Sequence, residues 1–343
     1  AGSSPGVRKR GIGVGTQGIW VSGCMGFPDI YEHSGAIIKL NRDGSADISS
    51  GTVDIGSGQI ATLCQIAAAE LGVGMDKVRM VYADTDTVPF DAPTHASRGT
   101  YSSGLAVKAA AAQVRKRVFE IAAGLMEANP DDLDISNGQV YVKGSPDSAR
   151  ALTDIIHIAE SPFIMDTEQG PRPSSPPEHK GTIIGSSSLA PPENPSPATA
   201  LFVEVEVDTE TGQVAVLRCV YAHDLGRLIN PNAAQGQVEG GMQQGIGYAL
   251  MENLVFDPDT GACLSADFLD YKMPTAVEMP RVIESIFIET NEPTGPFGAK
   301  SLSEQCVTVP AAAIAAAVYN AIGVRIRDLP ITPEKILNAL GKL

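Results

Sequence analysis

The sequence has no C-x-x-C pair: its five cysteines, Cys24, Cys64, Cys219, Cys263 and Cys306, are scattered over 343 residues. That spacing excludes a zinc frame or an iron–sulfur cluster held by this chain alone. Cysteines flanked mostly by apolar residues read as reduced core thiols, which points to a cytoplasmic protein. Positive charge is also short, with 25 Lys and Arg against 40 Asp and Glu, a net −15. Such an acidic balance repels phosphate backbones and anionic bilayers, so neither nucleic acid nor a membrane surface is an expected partner. No uninterrupted apolar run reaches the roughly 18 residues that a membrane-spanning helix needs. The opening "AGSSPGVRKRGIGVG" carries neither an initiator methionine nor the apolar stretch of a signal peptide.

What is present describes an ordinary globular composition, 43% hydrophobic and 19% charged, and the length suggests two structural units. "GAIIKLNRD" and "SADISSGTV" flank Asp43-Gly44 and read as a hairpin. A helix is expected over about 60–71, a strand at "VRMVYADT", and a long helix from Gly104 that ends before Asn129-Pro130. A second hairpin turns at Asn137-Gly138 and a third at Thr211-Gly212. Residues 170–197 are rich in proline, serine and glycine and read as a connection between a first half, 1–169, and a second half, 198–343. A strand at "RVIESIFIET" and an apolar helix behind "GPFGAKSLSEQC" complete the second half. The expected fold class is α+β, in two related halves.

Two motifs are set aside. "GVGTQG", Gly13 to Gly18, meets the G-x-G-x-x-G formula, but "RKR" precedes it and "IWVSG" follows. A dinucleotide site needs a buried strand before the glycines and a helix after them. "GSSPG" meets G-x-S-x-G, yet Pro5 and its terminal position do not suit a nucleophile elbow. The five histidines lack the spacing of a zinc helix.

Three loops have the composition of a ligand cradle. "VDIGSGQIAT" places Gly56, Ser57, Gly58 and Gln59 directly before a helix, where backbone N–H groups can approach a phosphate or an electron-rich ring. "HASRGTYSSGLAV" does the same ahead of the long helix, with hydroxyls and Arg98. "NAAQGQVEGGMQQG" supplies Gln235, Gln237, Gln243 and Gln244 on a glycine-rich helix. Taken singly, a capped helix start with tight packing explains each of them better. Glu304 also has a plain explanation: a carboxylate at a helix N-terminus gains roughly 0.3–1 kcal/mol from the helix dipole and needs no function.

The set as a whole reads differently. "GTVDIGSGQ", "DTDTVPFDAPTHASRGTYSSGLAVKAA", "DLGRLINPNAAQGQVEGGMQQGIGYAL", "DFLDYKMPTA" and "GPFGAKSLSE" with "RIRDLPITPEKIL" occur in this order over nearly the whole chain. Together they resemble the second, C-terminal molybdenum-cofactor-binding domain of the xanthine oxidase family of molybdenum hydroxylases. That resemblance implies that Glu304 is the general base beside the molybdenum and that Gln237 hydrogen-bonds the pterin. It implies that Ser97, Arg98, Gly99, Thr100 and Ser102 follow the pterin and dinucleotide phosphates. Gly56, Ser57, Gly58 and Gln59 match a loop that usually reads "GQG"; here Ser57 stands where the glutamine is expected, and Gln59 comes two residues later. Lys300 and Ser301 belong to the same cofactor set, with Ser301 and Ser303 in place of the small residues of the family's G-x-G-E pattern. No side chain is expected to ligate the metal.

The implied cofactor is a molybdenum–pyranopterin, expected as the cytosine dinucleotide. The first cofactor domain, with its "GGFGGK"-like loop, is not in this sequence, which resembles split enzymes such as nicotinate dehydrogenase and its medium molybdopterin subunit. Expected partners are therefore a complementary molybdopterin subunit carrying that domain, an iron–sulfur subunit with 2Fe–2S clusters, and an FAD subunit. The expected reaction is hydroxylation of an electron-poor carbon of a small aromatic substrate by water. Phe27 and Tyr31, with Trp20, fall in a segment whose family counterpart lines the substrate pocket, and core packing explains them equally well. A hydroxybenzoyl-coenzyme A reductase, an aldehyde-oxidising relative and a non-catalytic assembly subunit remain as alternatives.

Overall fold

The computed structural model describes residues 6–18, 32–161, 163–166, 170–172 and 180–343. Trp20, Phe27 and Tyr31 lie outside the described residues. The first elements are β1 (Arg8–Gln17), β2 (Ser34–Leu40), β3 (Ala46–Ser50), α1 (Gln59–Leu71), β4 (Val78–Tyr82) and α2 (Gly104–Met126). There follow β5 (Leu133–Ser136), β6 (Gln139–Val142), β7 (Ser145–Ala151), α3 (Leu152–Glu160), β8 (Ile164–Asp166), β9 (Gly170–Arg172) and β10 (Ile184–Leu189). The last are β11 (Thr199–Asp208), β12 (Val214–Asp224), α4 (Pro231–Leu250), β13 (Val282–Ile288), α5 (Glu304–Thr308), α6 (Pro310–Ile322) and α7 (Pro333–Ala339). The class is mixed α and β with separate sheets, as the element pattern predicts.

The chain forms two compact units that alternate along the sequence. One comprises Ala1–Val21, Pro195–Thr290 and Lys300–Leu343; the other comprises Ser22–Asn194 and Asn291–Ala299.

The first unit is built on a sheet of order β1-β11-β12-β13, antiparallel except for the β12–β13 pair. Strict alternation sends Leu201, Val203, Val205 and Val207 of β11 to one face, where Val238 and Met242 of α4 and Ala313, Ile314 and Ala317 of α6 meet them. The "GIGVG" stretch is explained here. Gly11, Gly13 and Gly15 all face α6, and a Cβ on Gly13 would lie 2.0 Å from the Ala313 carbonyl oxygen and 2.3 Å from the Ala317 nitrogen. Alternate strand residues advance by about 6.6 Å, and helix residues four apart by about 6 Å. The Gly15–Gly13–Gly11 row therefore keeps step with Ala313, Ala317 and Ala321, and strand and helix touch backbone to backbone. Together α5 and α6 are long and apolar enough to cross a bilayer, and most of that stretch is buried in this core.

The second unit carries a sheet of order β10-β2-β3-β4, with α1 and the 23-residue α2 packed together and α2 lying on β2 and β10. Ala36, Ile38, Leu40, Ala46 and Ile48 form its inner face. The β2–β3 turn is fixed by Asp43, whose carboxylate accepts from the Ser45 N–H and hydroxyl, while Gly44 takes φ 79°. A three-stranded sheet, β5-β6-β7, and the β8-β9 pair complete the unit.

Candidate functional site

In the second unit, α1 begins at a loop in which Gly56 (φ 99°) and Gly58 (φ 71°) both take left-handed conformations. Side chains other than glycine rarely adopt these angles, so the loop is thin by necessity, and the space beside Gly56 is open. Between them the Ser57 hydroxyl is buried with no hydrogen-bond partner. Gln59 is buried and its amide lies over Gly99, where a Cβ would sit 2.1 Å from Nε2. The structure thus brings the Gly56–Gln59 and Ser97–Ser102 loops together.

That second loop is strained. Ala96 (φ 48°) and Ser97 (φ 54°) are both left-handed without being glycine, a conformation that persists only where the surroundings impose it. What imposes it is Arg98. Its guanidinium is 1% exposed and donates to the Ala92 carbonyl (2.8 Å), the Ser34 hydroxyl (2.7 Å), the His33 carbonyl (3.3 Å) and Asp91 (3.3 Å). Glu32, itself buried, stands 3.8 Å from Arg98 Nε and binds His95 at 2.9 Å. Arg98 is therefore directed into its own unit. The chain then makes one wide π-type turn, Gly99–Ser103, containing Thr100 and the fully buried Ser102, before α2 begins. Such turns are frequent at functional sites. The Pro296–Gly298 turn also belongs to this unit, and Pro296 packs on Gly104.

In the first unit, Lys300 donates to Asp224 at 2.7 Å, and its backbone N–H donates to the Leu225 carbonyl at 2.7 Å. Burial raises the Asp224 carboxyl, but hydrogen bonds from Lys300, Thr290 and Gly226 outweigh it and hold the group below its ordinary value. Lys300 thus anchors the start of the loop. Ser301 follows, fully buried, its hydroxyl without a partner. Ser303 takes φ 151° and ψ −58°, and its hydroxyl donates to Gln237 Oε1 at 2.6 Å. Glu304, half-buried, is the first residue of α5. Gln237, Ser303 and Glu304 are therefore gathered at one place.

The short α5 is braced from behind. Pro310 has no N–H, so the Cys306 carbonyl loses its usual helical partner. Tyr221 supplies one, its hydroxyl donating at 2.9 Å, and Tyr248 donates to the Val307 carbonyl. His223 stacks on Tyr221 with ring centroids 5.0 Å apart and bonds Thr199 through Nδ1 at 2.9 Å. Burial pushes the Cys306 thiol up to about 12, so it stands neutral beside the imidazole.

A family model described as "Molybdopterin cofactor-binding domain" matches residues 2–280. The chain belongs to this family, the molybdopterin-binding domain of the xanthine oxidase group of molybdenum-dependent oxidoreductases. It is 34% identical over 333 residues to the putative xanthine dehydrogenase molybdenum-binding subunit XdhA of Escherichia coli K12, covering 96% of this chain and 42% of that one. It is 32% identical to the 6-hydroxypseudooxynicotine dehydrogenase complex subunit gamma of Paenarthrobacter nicotinovorans, over 96% of this chain and 40% of the relative. Quinoline 2-oxidoreductase from Pseudomonas putida 86 superposes with a TM-score of 0.88 at 28% identity, over 98% of this chain and 42% of that one. The chain thus spans about two fifths of the length of the relatives it matches.

The residues fit a molybdopterin. Ser57 in the second unit and Ser301 in the first are each a buried hydroxyl that lacks a partner, which is costly unless a ligand supplies one, and a pterin edge or a phosphate has the donors and acceptors to do so. Among the described residues, no group of three or more His, Cys, Asp or Glu is gathered as a metal site.

Sequence reasoning missed Gln305, whose amide bonds both Ser303 and Ser301. It also missed Asp91 and Glu32, the acids that turn Arg98 inward. No local pattern signals either, since the partners of Arg98 come from as far as 66 residues away. His223 is buried and structural, and it gives a pH prediction. Burial lowers its imidazole from 6.5 to about 4, so the unfolded chain binds a proton that the folded one refuses between these values. Stability should be intact above pH 6.5 and fall as pH drops toward 4, by roughly 3 kcal/mol at most from this group. Urea midpoints of wild type and His223→Gln between pH 7 and 4.5 check this. The variant should lose less stability over that range, and parallel losses would exclude His223 as the cause.

Proposed function

We propose that this chain holds a molybdenum–pyranopterin cofactor, as the cytosine dinucleotide, in an enzyme that hydroxylates an electron-poor ring carbon of a nitrogen heteroaromatic with oxygen from water. The observation that carries the reading is the placement of Glu304, a half-buried carboxylate on a braced helix start, three residues after an unpartnered buried hydroxyl. The substrate class is supported by relatives whose names carry xanthine and quinoline, both nitrogen heteroaromatics.

When bound, the molybdenum centre supplies the two-electron chemistry. Glu304 accepts the proton of the attacking oxygen at a carboxylate oxygen, a contribution of about 10²- to 10⁴-fold. Gln237, held by the Ser303 hydroxyl, hydrogen-bonds the pterin, and Ser301 offers its free hydroxyl to the same group. The backbone of Gly56 and Gly58 and the Ser57 hydroxyl serve the cofactor in the same way, with Gln59 bracing Gly99. Ser97, Gly99, Thr100 and Ser102 line the dinucleotide, while Arg98 holds their loop in shape from inside. Lys300, neutralised by Asp224, fixes the catalytic loop at its root. The reading implies partner chains that would hold 2Fe–2S and FAD groups as electron acceptors, and a further chain that would carry the remaining cofactor domain.

The test is turnover of quinoline- and nicotinate-type substrates by the native assembly in [18O]water with a dye acceptor. Product oxygen should carry the label. Unlabelled product oxygen, or turnover confined to aldehydes, contradicts the reading.

A further inference from the structure

Gln305 follows the proposed base and is 1% exposed. Its Oε1 accepts from the Ser303 N–H at 3.2 Å, and its Nε2 donates to the Ser301 carbonyl at 3.1 Å. Both partners are backbone groups, one a donor only and the other an acceptor only, so this amide has a single possible orientation. It lies as a strut across the bend immediately ahead of Glu304. The bend is strained: φ 151° and ψ −58° at Ser303 is a conformation that a serine holds only under constraint. Glycine at this position would meet no such penalty. In exchange, the serine places its hydroxyl on Gln237 Oε1 at 2.6 Å.

We propose that Gln305 is a positioning residue: its amide, spanning Ser301 and Ser303, holds the strained backbone that sets where the Glu304 carboxylate stands and how Ser303 reaches Gln237. The proposal rests on the reading of Glu304 as the base. Gln305 bonds the backbone of Ser301 and Ser303 and acts through these neighbours, not on substrate or cofactor. A strut that opposes strain differs from a packing residue in one measurable way. Its importance should depend on whether residue 303 is strained at all.

The experiment compares wild type, Gln305→Met, Ser303→Gly and the double variant in the native assembly. One readout is kcat and KM; the other is amide hydrogen exchange over residues 300–306, which needs no turnover. Gln305→Met should lower kcat by about 10- to 100-fold, as expected for a base displaced by around an ångström, with KM little changed. Exchange in the segment should quicken roughly tenfold. In the Ser303→Gly background the same substitution should cost several-fold less on both readouts, a non-additivity that reports direct coupling. Equal costs in both backgrounds, or unchanged kcat and exchange in Gln305→Met, overturn the proposal. If Gln305→Met does not fold, Gln305→Glu carries the comparison, since it retains an acceptor for the Ser303 N–H and loses the donor toward Ser301. If wild type shows no hydroxylase turnover, the proposed function fails, and exchange alone still decides the role of Gln305.

Discussion

Glu304→Gln is expected to lower turnover by about 10²- to 10⁴-fold while molybdenum content and assembly remain at the wild-type level. Glutamine has the shape of glutamate and can hydrogen-bond, but it cannot take a proton at neutral pH. The bonds that shape the loop, from Gln305 to Ser301 and Ser303 and from Ser303 to Gln237, do not involve the Glu304 carboxylate, so they survive the change. The braces behind α5, from Tyr221 to the Cys306 carbonyl and from Tyr248 to the Val307 carbonyl, are also untouched. Steady-state kinetics alongside metal analysis of the same preparation provides the check. Unchanged turnover removes Glu304 from its role and favours an assembly subunit. Loss of metal together with activity would instead make the residue a cofactor contact.

Gly13→Ala is expected to destabilise the first unit by about 3 kcal/mol or more, at or beyond the upper range for overpacking. The atoms it would strike, the Ala313 carbonyl oxygen at 2.0 Å and the Ala317 nitrogen at 2.3 Å, are helix backbone and cannot swing aside as a side chain could. The helix must lift from the strand along its length, because Gly11 and Gly15 seat it on either side. Lifting α6 also pulls on α5, which precedes it directly. Gly124→Ala is the control: this exposed glycine in α2 has nothing within 4 Å of an added Cβ, so helix propensity alone should stabilise it by about 0.5–1 kcal/mol. Urea midpoints of the two variants should move in opposite directions. A Gly13→Ala midpoint equal to wild type would mean that α6 is not seated on β1.

Elements whose cause is local were readable from the sequence. The turns at Gly44, Asn137-Gly138 and Gly212 all take the positive φ that their residue types signal, and α1 and α2 begin within a residue or so of the expected positions. The apolar helix behind Glu304 was readable too, but Pro310 divides it into α5 and α6, with Tyr221 and Tyr248 holding carbonyls at the break. What depends on distant partners was not readable. β1, with three glycines in ten residues, is not among the strands expected from sequence; it becomes a strand because it pairs with β11, some 190 residues later, and accepts α6 on its bare face. Arg98 sits in a loop with the composition of a phosphate cradle, yet Asp91 and Glu32 claim its charge. Gln305 gives no signal at all, since its importance lies in the φ of Ser303, which no residue pattern announces.

Molybdenum content of the native assembly, purified with its co-eluting chains from cells that make the cofactor, tests the central claim most directly. Near-stoichiometric molybdenum per copy of this chain, released with a cytosine nucleotide on acid hydrolysis, is the predicted result. An intact, fully assembled complex without molybdenum would contradict it.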